Sequence, residues 1–147
     1  MVMPCTVDAS VFLSAENCRE PAYEHSRSFV ARLLAQAIPV IAPTLLLPEV
    51  AGGIARGTGD AGLAHQVVAA LRSLPHLVLV PLDSTLARVA VEVASQHRLR
   101  GSDAVYAAVA LRFGTVLVTL DREQHDRVAG VVATRYPDEA ARDLEST

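Results

Sequence analysis

The chain contains no Lys and no Trp, and its aromatic residues stop at three Tyr and three Phe. So few rings exclude a row of base-stacking side chains of the kind that grips single-stranded nucleic acid. The thirteen basic residues are all Arg and are outnumbered by sixteen acids, for a net charge of −3 and a pI near 5.9. No global positive field recruits a polyanion, so any such activity needs a local device. Arg does suit bidentate phosphate contacts better than Lys. Cys5 and Cys18 are the only thiols, which excludes a disulfide framework and a cysteine zinc site. No apolar run approaches the ~20 residues that span a bilayer. The richest stretch, 38–54, is broken by Pro39, Pro43, Pro48 and Glu49. Met1–Ala15 carries no Lys or Arg, so no signal-peptide charge precedes it. No Gly-rich loop follows the first apolar run, which argues against a nucleotide cofactor. A soluble cytoplasmic protein with no membrane partner is expected.

What is present is a chain of 147 residues, 51% of them hydrophobic, enough for one domain over 1–147 with a sizeable core. Short β runs alternate with helical patterns, which predicts a parallel sheet covered by helices. The β runs are Cys5–Val7, Val40–Ala42, Leu77–Val80 and Val116–Val118, with Val131–Val132 as a fifth, edge strand. Leu77–Val80 is continuously apolar, as a strand buried on both faces should be. Helices are expected at 22–37, from a Thr44 cap to about Arg56, from an Asp60 cap to about Leu74, and after an Asp83 cap. Pro48 fits a first turn, and Gly57 and Gly59 end that helix. The Gly52–Gly53 pair is expected to serve close helix packing. Gly101–Ser102–Asp103 opens a helix whose next eight residues have no polar face, so it should be buried nearly all round. The segment after Pro137 reads as a polar, acidic, solvated tail.

Four carboxylates resist a purely structural explanation. Asp8 ends the first strand, and Asp121 lies just past the fourth. Open parallel sheets bind ligands outside the carboxyl ends of their strands, so neighbouring strands would bring these two acids to one crevice. Asp103 opens the most apolar helix, and Glu49 lies in a first turn among Leu45, Leu46, Leu47 and Val50. Helix N-termini help to keep such groups ionised. Two carboxylates ~5 Å apart repel by about 3 kcal/mol at an effective dielectric of 20, so a converging set needs protons or cations. Oxygen ligands without His or Cys select a hard cation, Mg²⁺ or Mn²⁺. Such an ion can activate water and neutralise charge building on a phosphate.

At these residues the chain resembles the PIN domain, the nuclease fold of VapC-type toxins. The matching segments are Val7–Phe12, Pro48–Glu49–Val50, Ser102–Asp103–Ala104 and Thr119–Leu120–Asp121–Arg122, in the family's order and spanning Val2 to about Thr134. The resemblance implies a three-layer α/β/α sandwich around a parallel sheet of four to five strands. It also implies a Mg²⁺- or Mn²⁺-dependent endoribonuclease, the toxin of a VapBC-type pair, that hydrolyses RNA phosphodiesters with metal-activated water. A homodimer and a cognate antitoxin are expected on the same ground. Asp8, Glu49, Asp103 and Asp121 would be the catalytic acids and metal ligands, with Ser10 and Thr119 hydrogen-bonding them from behind. Arg98, Arg100 and Arg122 lie near the acids and are candidate contacts to RNA phosphates.

Other functions fit less well. A phosphatase using Asp8 as acceptor would want a second Asp at position 10, which is Ser. A flap-type DNA nuclease needs added DNA-gripping elements, for which the chain is short. An RNA-processing PIN nuclease outside a toxin pair, and a PIN-like module that only binds a partner, remain as alternatives.

Overall fold

The computed structural model describes residues 3–145, so the ends of the expected 1–147 domain, and Val2 where the resemblance begins, lie outside the described residues. Five strands form one sheet in the order β3-β2-β1-β4-β5, all parallel: β1 Cys5–Val7, β2 Val40–Pro43, β3 Leu77–Val80, β4 Val116–Val118 and β5 Thr134–Arg135. β1 is central and pairs with β4 in the register Cys5↔Val116, Thr6↔Leu117, Val7↔Val118. β2 and β3 lie to one side of β1, and β4 and β5 to the other. The order therefore reverses between β1 and β4, where a ligand crevice belongs in a sheet of this kind. The three-layer α/β/α architecture is the one expected.

The long helices follow their sequence signals. α2 spans Tyr23–Ala35, α3 Leu46–Thr58, α4 Ala61–Arg72, α5 Ser84–His97 and α6 Gly101–Phe113. Asp60 and Asp83 cap α4 and α5 by accepting from Leu63 N at 3.0 Å and Leu86 N at 2.9 Å. Gly59 and Gly114 close α3 and α6 in the left-handed region, with φ of 70° and 64°. α6 is buried without a break from Ala104 to Ala110 and packs against β1, β2 and β4. Its lack of a polar face is thus a packing requirement. Val7, Phe29, Leu46, Leu117 and Val118 join it in the core.

Several expectations are corrected. Ala9–Ala15 is a helix, α1, directly after β1, and Arg122–Arg127 is another, α7. Each is two turns or less, too short to show a period. Thr44 does not cap α3; Leu45 holds that position without a side-chain bond, and Thr44 only accepts Leu47 N on its carbonyl. β3 lies at the sheet edge, so Val78 is 52% exposed rather than buried on both faces. The fifth strand is Thr134–Arg135, not Val131–Val132, because Val131 and Val132 form the turn before it and bond back to the Val128 carbonyl.

The expected solvated tail is helix α8, Pro137–Glu145. Its polar composition hides an apolar stripe, Pro137, Ala140, Ala141 and Leu144, that is buried against its neighbours, α2 among them. Arg32 reaches Glu145 at 2.5 Å, and Arg135 reaches Asp143 at 2.9 Å. Leu144→Ala is therefore expected to cost about 2 kcal/mol, the lower end for a buried leucine. Urea unfolding checks this; a loss under about 0.5 kcal/mol would return the segment to the solvated class.

Candidate active site

Asp8 connects the sheet to the site. Its backbone N–H still donates to the Val118 carbonyl of β4 at 3.1 Å, continuing the ladder by one residue. Its carboxylate then turns to cap α1: Oδ1 accepts from Ser10 N at 3.0 Å and also from the Ser10 hydroxyl. The other oxygen, Oδ2, accepts from Thr119 Oγ1 at 2.5 Å. Asp8 is only 4% exposed. Burial pushes its carboxyl up to about 6, against the pull of Ser10 and Thr119 and with a further push from the Asp103 charge.

The two hydroxyls also tie β1 to the segment after β4. Ser10 Oγ accepts from Leu120 N at 3.1 Å, and Thr119 Oγ1 accepts from Asp121 N at 3.0 Å. Asp121 caps α7 through Gln124 N at 3.0 Å with one oxygen and takes Arg100 Nη2 at 3.0 Å with the other. Arg100 stands directly before α6 and its Nε lies 3.5 Å from Asp103 Oδ2, so one guanidinium spans two acids. Asp103, in the first turn of α6, is raised by burial and by the Asp121 charge, with Arg100 opposing. Gln124 Nε2 donates to the Asp103 carbonyl at 2.8 Å and joins the start of α6 to α7. Glu49, in the first turn of α3, accepts from the Tyr106 hydroxyl of α6 at 2.6 Å. That bond and burial hold the Tyr106 phenol far above its ordinary value.

The four carboxylates come from the ends of β1 and β4 and from the first turns of α3 and α6. They meet in one open cleft of about 400 Å³, whose lining also includes Ser10, Leu13, Pro48, Arg56 and Tyr106. Of the expected basic residues, Arg100 alone touches site carboxylates. Arg98 closes α5 and accepts Arg127 on its carbonyl, and Arg122 is an exposed first residue of α7; neither is in the cleft lining. Sequence reasoning passed over Arg56, Tyr106 and Gln124. Tyr106 and Glu49 are 57 positions apart, and Tyr106 sits inside an apolar run that signals only core.

The donor set fits a hard cation. It offers carboxylate oxygens with no His or Cys in the lining, and burial and mutual repulsion raise Asp8 and Asp103, as uncompensated negative charge does. Among the described residues no three His, Cys, Asp or Glu side chains form a ready-made cage. A magnesium-type ion does not require one, since it binds through one or two carboxylates and keeps waters.

The position of Asp8 has a consequence for stability. Its folded value, about 6, lies above its ordinary 3.8, so between those values the folded state holds the proton more tightly than the unfolded chain. Stability in EDTA should be greatest below pH ~4 and fall as pH rises to ~6, by at most about 3 kcal/mol from this group. Asp103 adds with the same sign. Urea unfolding of metal-stripped protein from pH 4 to 7 measures the slope, and Asp8→Asn should flatten most of it. An unchanged slope in that variant would move the effect to another residue.

The PIN domain pattern matches residues 5–131. No curated protein matches the chain. Among solved structures, the sarcin-ricin-loop-cleaving toxin VapC20 of Mycobacterium tuberculosis is similar at 22% identity and TM-score 0.69, covering 88% of this chain and 96% of its own. A Pyrobaculum aerophilum protein, PAE2754, is similar at 21% identity and TM-score 0.71, over 100% of this chain and 98% of its own. VapBC2 of Rickettsia felis, solved bound to a DNA fragment from its promoter, is similar at 13% identity and TM-score 0.67, over 91% and 98%. With a crevice at the strand-order reversal, four acids from four elements around it and this match over most of its length, the chain belongs to the PIN domain family.

Proposed function

We propose that this protein is a Mg²⁺- or Mn²⁺-dependent endoribonuclease and the toxin of a VapBC-type toxin–antitoxin pair, acting in the cytoplasm as a homodimer restrained by a cognate antitoxin. The observation that carries the reading is the convergence of Asp8, Glu49, Asp103 and Asp121 in one cleft. RNA as the substrate class draws on the membership in the PIN family and on the RNA-cleaving toxin among the similar structures.

Asp8 and Asp103 would hold the principal ion, with Asp121 and Glu49 as further ligands or as acceptors that orient water. When bound, such an ion supplies a nucleophile at neutral pH and offsets charge on the phosphate. The chain's own contribution is positional. Ser10 and Thr119 fix both oxygens of Asp8, so its remaining lone pairs have one orientation. Tyr106 does the same for Glu49 from the buried helix behind it. Asp121 is anchored at the α7 N-terminus by the Gln124 amide. Arg100 is 75% exposed on its side chain, so it can release its carboxylates and reach a substrate phosphate at little cost.

The test is cleavage of total RNA by purified protein in Mg²⁺, Mn²⁺ or EDTA. Cleavage should need the divalent ion. Asp8→Asn and Asp103→Asn should each lower the rate at least about 100-fold, the upper end for residues that merely support a ligand. The variants should keep wild-type circular dichroism. Wild-type rates in either variant, or cleavage that survives EDTA, would overturn the assignment. Calorimetry with Mn²⁺ provides an independent readout, and absent binding would favour a partner-binding PIN-like module.

A further inference from the structure

The acidic cleft opens into a larger one. A cavity of about 680 Å³ lies between α1, the 16–20 loop and the C-terminal half of α3, and it shares Ser10, Leu13 and Arg56 with the acidic cleft. Arg56 is exposed and stands where the two meet. It takes part in none of the ion pairs or side-chain hydrogen bonds among the described residues, whereas Arg32, Arg100, Arg127, Arg135 and Arg142 are all paired.

Helix α3 is built to present this guanidinium. Positions 49, 52, 53 and 56 follow the i, i+3, i+4, i+7 pattern of a single helix face. The adjoining face, Leu46, Val50 and Ile54, is buried in the core. The face of positions 49 to 56 reads Glu49, Gly52, Gly53, Arg56, with the acid and the base two turns apart and both in the lining of the acidic cleft. Two glycines inside a helix oppose its formation and call for a reason. At Gly53 a Cβ would come within 2.6 Å of the Leu13 side chain, which is a close approach of α1 to α3. At Gly52 a Cβ would lie 3.2 Å from Arg56 Nη1. The missing side chain at 52 thus leaves room for the guanidinium to lie back along the helix. Close helix packing, expected for both glycines, accounts for Gly53 alone.

We infer that Arg56 is a substrate-binding residue that holds an RNA phosphate next to the one being cut, so that the strand passes from the acidic cleft into the larger cavity. This rests on the nuclease reading and adds the substrate's path. A guanidinium suits the task because it grips a phosphate with two parallel N–H donors, which four neighbouring carboxylates cannot do.

The test is binding of a fluorescein-labelled, mixed-sequence single-stranded oligoribonucleotide, followed by anisotropy across a salt series in the Asp8→Asn background. Arg56→Gln should weaken binding about tenfold and lower the slope of log K against log salt by about 0.7, the value for one single-strand phosphate contact. Arg88→Gln, an exposed charge on α5 that lines neither cavity, should change neither. In the active background Arg56→Gln should raise KM with little change in kcat and none in Tm. Gly52→Ala should weaken binding in the same direction without lowering Tm, which a purely structural role for position 52 would not produce. An Arg56→Gln protein with wild-type affinity and slope overturns the inference, as does a wild type that binds no RNA. Binding that depends on Arg56 without any cleavage would keep Arg56 as an RNA contact and remove the nuclease reading, and with it the place next to a cut phosphate.

Discussion

A carboxyl at the end of the central strand, almost wholly removed from water, is the constraint around which this molecule is arranged. An isolated buried carboxylate is expensive, and the fold meets that expense with three donors: the Ser10 amide, the Ser10 hydroxyl and the Thr119 hydroxyl. Thr119 can reach Asp8 only because β4 pairs with β1 in a register that sets Val7 against Val118. Ser10 can do so only because the chain turns into α1 directly after Asp8. The same two hydroxyls accept from the backbone of Leu120 and Asp121. Moving Asp8 would therefore also move the start of α7, and with it Asp121.

From that point the placement of the other acids follows from topology. Glu49 enters after β2, the neighbour of β1 on one side, and Asp121 after β4, the neighbour on the other. Asp103 comes from α6, which packs under three strands at once. That contact explains why the middle of the helix is apolar all round, and why only its ends carry charge, Asp103 in the first turn and Arg112 in the last. The result is a site assembled from element ends. Such positions are held by the sheet and the core, so the carboxylates are more rigid than loop residues would be.

Much of this was legible in the sequence. An acid directly after an apolar β run and an acid opening an apolar helix mark positions where burial and charge meet, and these two signatures picked out Asp8, Asp121 and Asp103. Glu49 was visible through its apolar neighbours. The short helices α1 and α7 were not, because one or two turns carry no periodic signal. Helix α8 was hidden by its charges, since Ala140, Ala141 and Leu144 make a narrow stripe among five acids and bases. β3 was misplaced in the sheet because an apolar edge strand and an apolar central strand look the same one residue at a time. Arg56 was missed for a different reason. Its nearest basic companions in sequence are far away, and its significance lies in which helix face it shares with Glu49.

The charge pattern of the cleft bears on how an acidic protein would act on a polyanion, as proposed above. Four carboxylates face two guanidinium groups, Arg100 and Arg56, and only Arg100 is bound to any of the acids. Arg100 screens Asp103 and Asp121, and hydroxyls satisfy Asp8 and Glu49 without cancelling their charge. The site therefore holds more negative charge than Arg100 neutralises; burial does most to push Asp8 and Asp103 up, and neighbouring carboxylates add to it. A phosphate meets repulsion at such a surface. On the function proposed above, a divalent cation held by these acids would offset that repulsion at the cleft floor, and the arginines would hold the strand. On that reading the global charge of −3 would be no obstacle, because the attraction would be local.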